Sequence, residues 1–206
     1  MRVVVDNGPR QARATPPARR LKRAAPSVSL RSATSADAAS LHALISSHLE
    51  EGHLLPRRLD ELTVHASRFV AAVSTSKGTE RIVGCAELAP LSASVAEVRS
   101  LVVGRDARGA GLGRRMVDEL GRRARREGFV RLCAFAHDPR FFVGLGFSIV
   151  PHTWVPEKIA RDCASCPLFR SCGQYAMLLE LSGSVALNAR AAANGSSVRP
   201  TLGHRV

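Results

Sequence analysis

A glycine-rich stretch between an apolar run and a helical pattern is the strongest constraint on the fold. Residues 102–117 read VVGRDARGAGLGRRMV, with Gly109, Gly111 and Gly113 at alternate positions. Backbone N–H groups in the first turn of a helix converge on an anion, and the helix dipole adds favourable potential. Glycine lets a ligand approach that backbone closely. The stretch therefore predicts a strand, a turn that binds a phosphate-bearing ligand, and a long helix ending near residue 126.

Two familiar phosphate-binding motifs do not match this stretch. A P-loop ends in Lys-Ser or Lys-Thr, whereas Gly113 is followed by two arginines. The GxGxxG motif of dinucleotide-binding folds follows the first strand of its domain, whereas several predicted strands precede this one. Two interpretations are left: a phosphate compound bound by some other strand–turn–helix arrangement, or a glycine-rich helix start with no ligand.

Hydrophobic periodicity and turn residues predict the order β-α-(α)-β-β-β-α-β-α-β-(α)-β. A helix is predicted from a cap at Thr34 to near Gly52, with short helices after Pro56, around 140 and over 156–161. The order predicts an α/β (α+β) domain whose mixed sheet of about six to seven strands is flanked by helices and opens in a V where its parallel part begins. The predicted strands span 28–33, 68–75, 81–88, 94–103, 129–136, 147–151 and 174–181.

Positive charge is concentrated at the two ends of the chain. The net charge is +13, and residues 1–28 contain seven arginines and lysines against one acidic residue. Residues 182–206 contain three arginines and no acidic residue, so the middle of the chain is only mildly basic. Both ends are rich in Pro, Ala, Ser, Gly and Arg and lack apolar periodicity. We predict a disordered basic tail over 1–27, one domain over 28–181 and a second disordered tail over 182–206.

The apolar SLVV run is followed by the pattern Arg-x-x-Gly-x-Gly, and FFVGLGF comes further on. With these motifs, the chain resembles the GNAT acetyltransferases over nearly all of 28–181. The resemblance implies a GNAT fold and acetyl-CoA as the co-substrate. It also implies that the end of the preceding strand holds the pantetheine arm and the acetyl group, and that the turn holds the pyrophosphate. The residues concerned are Leu101, Val102 and Val103 on the strand and Arg108, Gly109, Ala110, Gly111, Leu112 and Gly113 in the turn.

Three further stretches resemble the short, stand-alone N-acetylglutamate synthases. They are GHLLPRRLDEL (52–62), AEVRSLVV (96–103) and VPEKIARDCASCPLFRSC (155–172). Arg58 departs from the small polar residue usual in the first stretch, and Ile159-Ala160 departs from the usual pair in the third. The resemblance implies acetyl transfer to the α-amine of L-glutamate, the first step of arginine biosynthesis, with another small amine or amino acid as the alternative acceptor.

Four charged residues are candidates for the acceptor site. Arg57 matches the arginine that the resemblance implies in carboxylate binding, and Arg99 and Lys158 are further candidates for that role, each with a surface charge as the alternative. Glu97 is the candidate general base, acting directly or through water, or else a carboxylate that only pairs with Arg99. The two lie two residues apart and so share one face of a strand. The general acid stays unassigned, because 138–147 contains no tyrosine; His137 is a weak alternative.

The five cysteines divide into two kinds. Cys85 and Cys133 lie in apolar runs and are predicted to be core residues. Cys163, Cys166 and Cys172 are candidates for a metal half-site that lacks an obvious fourth ligand, or for a redox-sensitive pair. Simple packing of reduced thiols is favoured over both, so no metal is expected.

Other function classes fit the sequence less well. A basic nucleic-acid-associated module is disfavoured, because no aromatic residue lies among the arginines of 114–126 or in the basic tails to stack on bases. A non-catalytic, metal- or redox-responsive acetyl-CoA binder is a further alternative. No stretch approaches the ~20 apolar residues of a membrane span. We predict a cytoplasmic enzyme with a small-molecule partner, and leave a homodimer open.

Overall fold

The computed structural model describes residues 27–52, 54–76 and 78–181. The predicted tails lie outside these residues, apart from Ser27, which begins the first strand. Each predicted strand is present, and its ends differ from the prediction by at most two residues. The strands are β1 (Ser27–Ser32), β2 (Phe69–Ser76), β3 (Thr79–Pro90), β4 (Val95–Val103), β5 (Arg131–Ala136), β6 (Ser148–Val150) and β7 (Tyr175–Glu180).

The helices are short except for one. They are α1 (Ala38–Ser46), α2 (Leu49–Gly52), α3 (Leu59–His65), α4 (Leu112–Arg126), α5 (Arg140–Val143) and α6 (Pro156–Lys158). A π-helical segment, Ile159–Cys163, continues α6, so the helical stretch predicted over 156–161 extends to the first cysteine of the trio.

The seven strands form one mixed sheet in the order β1-β2-β3-β4-β5-β7-β6. Strands β1 to β4 pair consecutively and antiparallel. Helix α4 then crosses over to β5, which pairs with β4 in parallel, while β7 is inserted between β5 and β6. The predicted mixed sheet of six to seven strands is confirmed.

Both faces of the sheet are covered, and the side chains of β2 pack alternately against the two sides. Val70 and Ala72 pack in the cluster that contains Met116 and Leu120 of α4. Their neighbours Phe69, Ala71 and Val73 pack in the opposite cluster with Leu41 and Ile45 of α1. Successive strand side chains point to opposite faces, so a central strand buried on both sides reads as an uninterrupted apolar run.

The predicted single helix from Thr34 to near Gly52 is wrong. The chain forms a 3₁₀ turn over Ser35–Asp37, then α1, and a break before α2. At the break the Leu44 carbonyl accepts hydrogen bonds from Ser47 Oγ (3.0 Å) and from His48 Nδ1 (2.9 Å). Side chains that bind a nearby carbonyl compete with the helical backbone for it, which ends α1 at this point.

Strand β4 leaves the sheet on one side, which confirms the V-like opening. It pairs with β5 only over 95–98, whereas its pairing with β3 continues to Val103. A bulge interrupts the β3–β4 ladder, and Ser100 on β4 has a φ of 51°. A non-glycine residue in this conformation is uncommon and costs free energy, so the surrounding contacts must hold it.

Candidate active site

The glycines of the turn before α4 serve two different purposes. Gly109 and Gly111 have φ values of 79° and 70°, and Gly111 is the N-cap of α4. A Cβ atom built on either would meet nothing within 4 Å, so the space in front of them is open. Gly113 instead allows close packing, because a Cβ there would lie 3.2 Å from Cζ of Phe141, which would have to shift slightly.

This turn forms one wall of a cavity of about 590 Å³, a size typical of small-ligand pockets. Eight of the nine residues predicted to bind the cofactor line it; Ala110 belongs to the turn but does not line the cavity. Its remaining lining residues, which the sequence did not indicate, are His48, Leu54, Arg114 and Phe141. The backbone N–H groups at the start of α4 and the guanidinium of Arg108 make this end of the cavity suited to an anion.

The opening in the sheet leads from this cavity to a group of charged side chains. Leu101, Val102 and Val103 line the cavity from β4, on the stretch that no longer pairs with β5. Arg99 and Glu97 precede them on the same strand; Glu97 lies where β4 pairs with β5, and Arg99 lies just beyond that pairing. An extended ligand lying along β4 with its phosphates at Gly111 would therefore reach toward Arg99 with its other end.

Glu97 is buried and its contacts are with cations. It accepts hydrogen bonds from Arg99 through Nε (3.1 Å) and Nη2 (2.6 Å). The ammonium of Lys158 lies 2.9 Å from each of its carboxylate oxygens. Asp162 contacts both cations, with its Oδ2 2.8 Å from Lys158 Nζ and hydrogen bonded to Arg99. The structure thus brings three predicted site residues together, and adds Asp162.

Arg57 lies in a second ion-pair group, anchored to β3 and β4. Its Nη1 donates to Glu87 (2.8 Å) and to the hydroxyl of Ser100 (2.9 Å), so it supports the residue with positive φ. Its Nε and Nη2 donate to the two oxygens of Glu61, at 3.3 and 2.7 Å. The hydrogen bonds from Arg57, and secondarily its charge and that of Arg99, hold the pKa of Glu61 below its ordinary value.

The two groups adjoin through the sheet. Glu87 on β3 is the register partner of Arg99 on β4. Together they contain three cations and four carboxylates among the described residues: Arg57, Arg99 and Lys158, against Glu61, Glu87, Glu97 and Asp162. Burial raises the pKa of Asp162, but the hydrogen bond from Lys158 and the charge of Arg99 outweigh it, so that the pKa lies below its usual value.

Comparisons with known proteins identify the family. Residues 38–147 match the model of the acetyltransferase (GNAT) family. An uncharacterized N-acetyltransferase of Chlorobaculum tepidum is 30% identical over 152 residues, which cover 74% of this chain and 96% of that protein. The chain belongs to the GNAT acetyltransferase family. The enzyme is therefore an N-acetyltransferase, and acetyl-CoA is its co-substrate.

Two solved structures are similar to this acetyltransferase over three quarters of its length. N-acetylglutamate synthase from Neisseria gonorrhoeae, in complex with coenzyme A and N-acetyl-glutamate, is 29% identical with a TM-score of 0.65. The match covers 75% of this chain but only 35% of the synthase, so the chain spans about a third of that protein. Rv2747 from Mycobacterium tuberculosis, in complex with CoA, has a TM-score of 0.64 at 22% identity, covering 74% of this chain and 98% of that one.

The cysteines of this GNAT domain follow the predicted division. Cys85 and Cys133 are buried in the core, and burial raises the pKa of the Cys85 thiol to about 12. Cys163 and Cys166 are partly exposed and Cys172 is exposed. Burial also raises the pKa of Cys163, which keeps it a thiol near neutral pH. Within the described residues, no group of three or more His, Cys, Asp or Glu is placed to hold a metal ion.

The arginines of α4 fasten the helix to the rest of the acetyltransferase. Arg114 donates to the Gly144 carbonyl, Arg115 to that of Val28 and Arg125 to that of Leu181. Arg123 donates to the carbonyls of Ser67 and Phe69 at the start of β2, and Arg122 and Arg126 pair with Glu119. These contacts account for the basic face without a nucleic-acid partner. No helix in the described part of the chain is long and apolar enough to cross a membrane.

Proposed function

We propose that this acetyltransferase transfers the acetyl group of acetyl-CoA to the α-amine of L-glutamate, the first step of arginine biosynthesis. The observation that carries the proposal is that two groups of cations contact β4 near the point where it separates from β5. Arg57 contacts Ser100 in one group, and Arg99 and Lys158 contact Glu97 in the other. Glutamate has two carboxylates, and each calls for a guanidinium or ammonium in a fixed place.

The similar synthase from Neisseria gonorrhoeae supports this acceptor, because that protein was solved with coenzyme A and N-acetyl-glutamate. The three stretches that resemble the stand-alone synthases also carry the charged residues concerned. Arg57 follows Pro56 in the first, Glu97 and Arg99 belong to the second, and Lys158 and Asp162 to the third. The agreement of motif and position supports a substrate role for these cations.

The proposed mechanism is direct transfer. Acetyl-CoA supplies a thioester, which the neutral amine of the acceptor attacks, and coenzyme A leaves as thiolate or thiol. Arg57, Arg99 and Lys158 orient the acceptor, and such positioning can contribute about 7–11 kcal/mol to a bimolecular reaction. Glu97 accepts hydrogen bonds from two cations, which leaves its oxygens little room to contact the amine. We therefore assign it the role of receiving the amine proton through a water molecule.

The charge balance of the site supports a second candidate, a small cationic amine as the acceptor. Four carboxylates face three cations in the two ion-pair groups. An excess of negative charge attracts a cation and repels a dianion such as glutamate, unless some of the carboxylates move on binding.

A thiol-release assay with acetyl-CoA and a panel of acceptors distinguishes the two candidates. We expect the full-length enzyme to prefer L-glutamate to L-glutamine, which keeps the α-carboxylate but loses the side-chain charge. Preference for 1,4-diaminobutane would support the cationic amine. Equal activity on glutamate and glutamine would reduce the function to that of a general amino-acid acetyltransferase.

The assigned role of Glu97 predicts a loss of turnover in Glu97→Gln. The variant loses the route for the amine proton but keeps the cations, so kcat should fall by roughly 10²- to 10⁴-fold, most clearly near neutral pH. KM for acetyl-CoA should change little. Glu119→Gln on the outer face of α4 is the control and should keep full activity. A kcat for Glu97→Gln within twofold of the wild type would remove Glu97 from the proton path.

A further inference from the structure

The cations of the acceptor site are each held between an inner and an outer carboxylate. The inner ones belong to the sheet and are almost fully buried: the side chain of Glu87 is 2% exposed and that of Glu97 is 5% exposed. The outer ones belong to helical segments and are far more accessible: Glu61 on α3 is 38% exposed and Asp162 is 31% exposed. The two groups repeat the same arrangement with different residues.

The outer carboxylates occupy the binding positions that a substrate would need. Glu61 accepts hydrogen bonds from Nε and Nη2 of Arg57 with its two oxygens. This two-point geometry is the one in which an arginine binds a carboxylate most strongly. Asp162 bridges Lys158 and Arg99 with a single oxygen. The other N–H edge of Arg57 is held by Glu87 and Ser100.

The inner and outer pairs differ in what breaking them would cost. Removing Glu87 or Glu97 from its partner would leave an unpaired charge in a buried site, which is strongly unfavourable. Glu61 and Asp162 can return to water when they leave, and partly exposed ion pairs contribute little to stability. A carboxylate that arrives from solution can therefore replace an outer partner far more easily than an inner one.

We propose that Glu61 and Asp162 occupy the places of the acceptor's two carboxylates in the empty enzyme and are displaced when the acceptor binds. Each exchange replaces one carboxylate by another, so Arg57, Arg99 and Lys158 are never left unpaired. Two outer carboxylates match an acceptor with two carboxylates, and the exchange brings glutamate in without raising the number of carboxylates around the three cations. Glu61 and Asp162 are thus specificity-determining residues that compete with the substrate. This inference rests on the proposed function.

The test is the KM of the full-length enzyme for glutamate in Glu61→Gln and Asp162→Asn. Each variant keeps the shape of the side chain but competes less for its cation, so each should lower this KM by roughly three- to tenfold. KM for acetyl-CoA should stay constant. Glutarate, which has two carboxylates and no amine, should inhibit both variants at correspondingly lower concentrations than the wild type. A residue with only a structural role would raise KM when altered, not lower it.

Asp60→Asn is the matched control, because Asp60 precedes Glu61 in the same turn but pairs with the exposed Arg58. It should leave both KM values unchanged. Wild-type activity on glutamate with unchanged or raised KM in both variants would overturn the inference and leave the proposed function standing. A preference for glutamine, which has one carboxylate, would overturn the proposed function and with it the match of two outer carboxylates to the acceptor. If the enzyme prefers a cationic acceptor and both variants have a raised KM for glutamate, the proposed function and the inference are both overturned.

Discussion

Arg57 connects the stability of this protein with its proposed chemistry. Its guanidinium bridges Glu61, Glu87 and Ser100, and lies 5.9 Å from the ring centroid of Phe69. Because Glu87 is buried, the arginine neutralises a charge that cannot reach water. One side chain therefore supports the bulge in β4 and offers an edge to an incoming carboxylate.

Arg57→Ala should consequently change two measurements. The free energy of unfolding, from urea denaturation, should fall by about 3–5 kcal/mol, since Glu87 loses its partner. KM for glutamate should rise roughly 10- to 150-fold, the effect of one lost charge-assisted hydrogen bond, while KM for acetyl-CoA changes much less. Arg58→Ala is the neighbouring control; Arg58 is exposed, and its loss should change neither measurement.

The double variant Arg57→Ala/Glu87→Gln separates the two effects. Replacing the buried carboxylate removes the unpaired charge, so part of the lost stability should return. The KM for glutamate should stay high, because the acceptor still lacks its guanidinium. Recovery of a normal KM together with stability would mean that Arg57 acts on glutamate only by holding the fold.

The candidate residues of the charged groups could be picked out from the sequence where a local pattern marks them. Arg57, Glu97, Arg99 and Lys158 lie in recognisable stretches, and the structure brings the last three into direct contact. Glu87 gave no such signal, because it is the only charge in an apolar run and its partner lies 30 residues away. The positive φ of Ser100 could not be predicted from the sequence either, since serine does not indicate a bulge as glycine does.

At the scale of elements, α4 and the turn before it were predicted best. A long amphipathic helix with glycines at its start has a strong periodic signal that tertiary contacts reinforce. The stretch of 34–52 was predicted worst, because its hydrophobic periodicity continues through Ser47 and His48. Periodicity gives no sign that the side chains of these two residues hydrogen bond to the Leu44 carbonyl. After the break, His48 and Leu54 line the cavity in front of Gly111.

Gly111→Glu tests the anion site at the start of α4. A Cβ at this position meets nothing within 4 Å, and the new side chain brings a carboxylate to the place proposed for the pyrophosphate, so acetyl-CoA binding measured by calorimetry should be abolished. Backbone strain from the positive φ should cost only about 1–2 kcal/mol, and the protein should stay folded by circular dichroism.

Gly128→Glu provides the matched control. Gly128 follows the other end of α4 with a φ of 86°, and a Cβ there also meets nothing within 4 Å. The control adds the same strain and the same charge away from the residues that line the cavity, so its affinity for acetyl-CoA should equal that of the wild type. Equal affinity in both variants would mean that the turn does not hold the phosphates.

At the scale of the whole molecule, the core, the cavity and the charged site all lie between residues 27 and 181. Nine of the thirteen excess positive charges lie before residue 27 or after residue 182. The high net charge of the chain is therefore not a property of the acetyltransferase domain. Sequence composition alone would have suggested a nucleic-acid binder, and only the distribution of charge along the chain pointed elsewhere.

A chain of residues 27–182 should consequently keep the kcat and both KM values of the full-length enzyme in the thiol-release assay. The boundaries follow from backbone contacts: Ser27 pairs with Thr75, and Leu181 donates to the Val130 carbonyl and accepts from Arg125. The shorter chain should also elute from a heparin column at lower salt, because it lacks the nine charges.

A chain of residues 27–174 is the negative control for that truncation. It lacks β7, which lies between β5 and β6 and is hydrogen bonded to both, so it should not fold. Loss of activity in the chain of 27–182 with an unchanged circular dichroism spectrum would show that a residue outside this range completes the active site. Retained activity with weaker heparin binding would show that the excess positive charge is separable from acetyl transfer, because the two then depend on different parts of the chain.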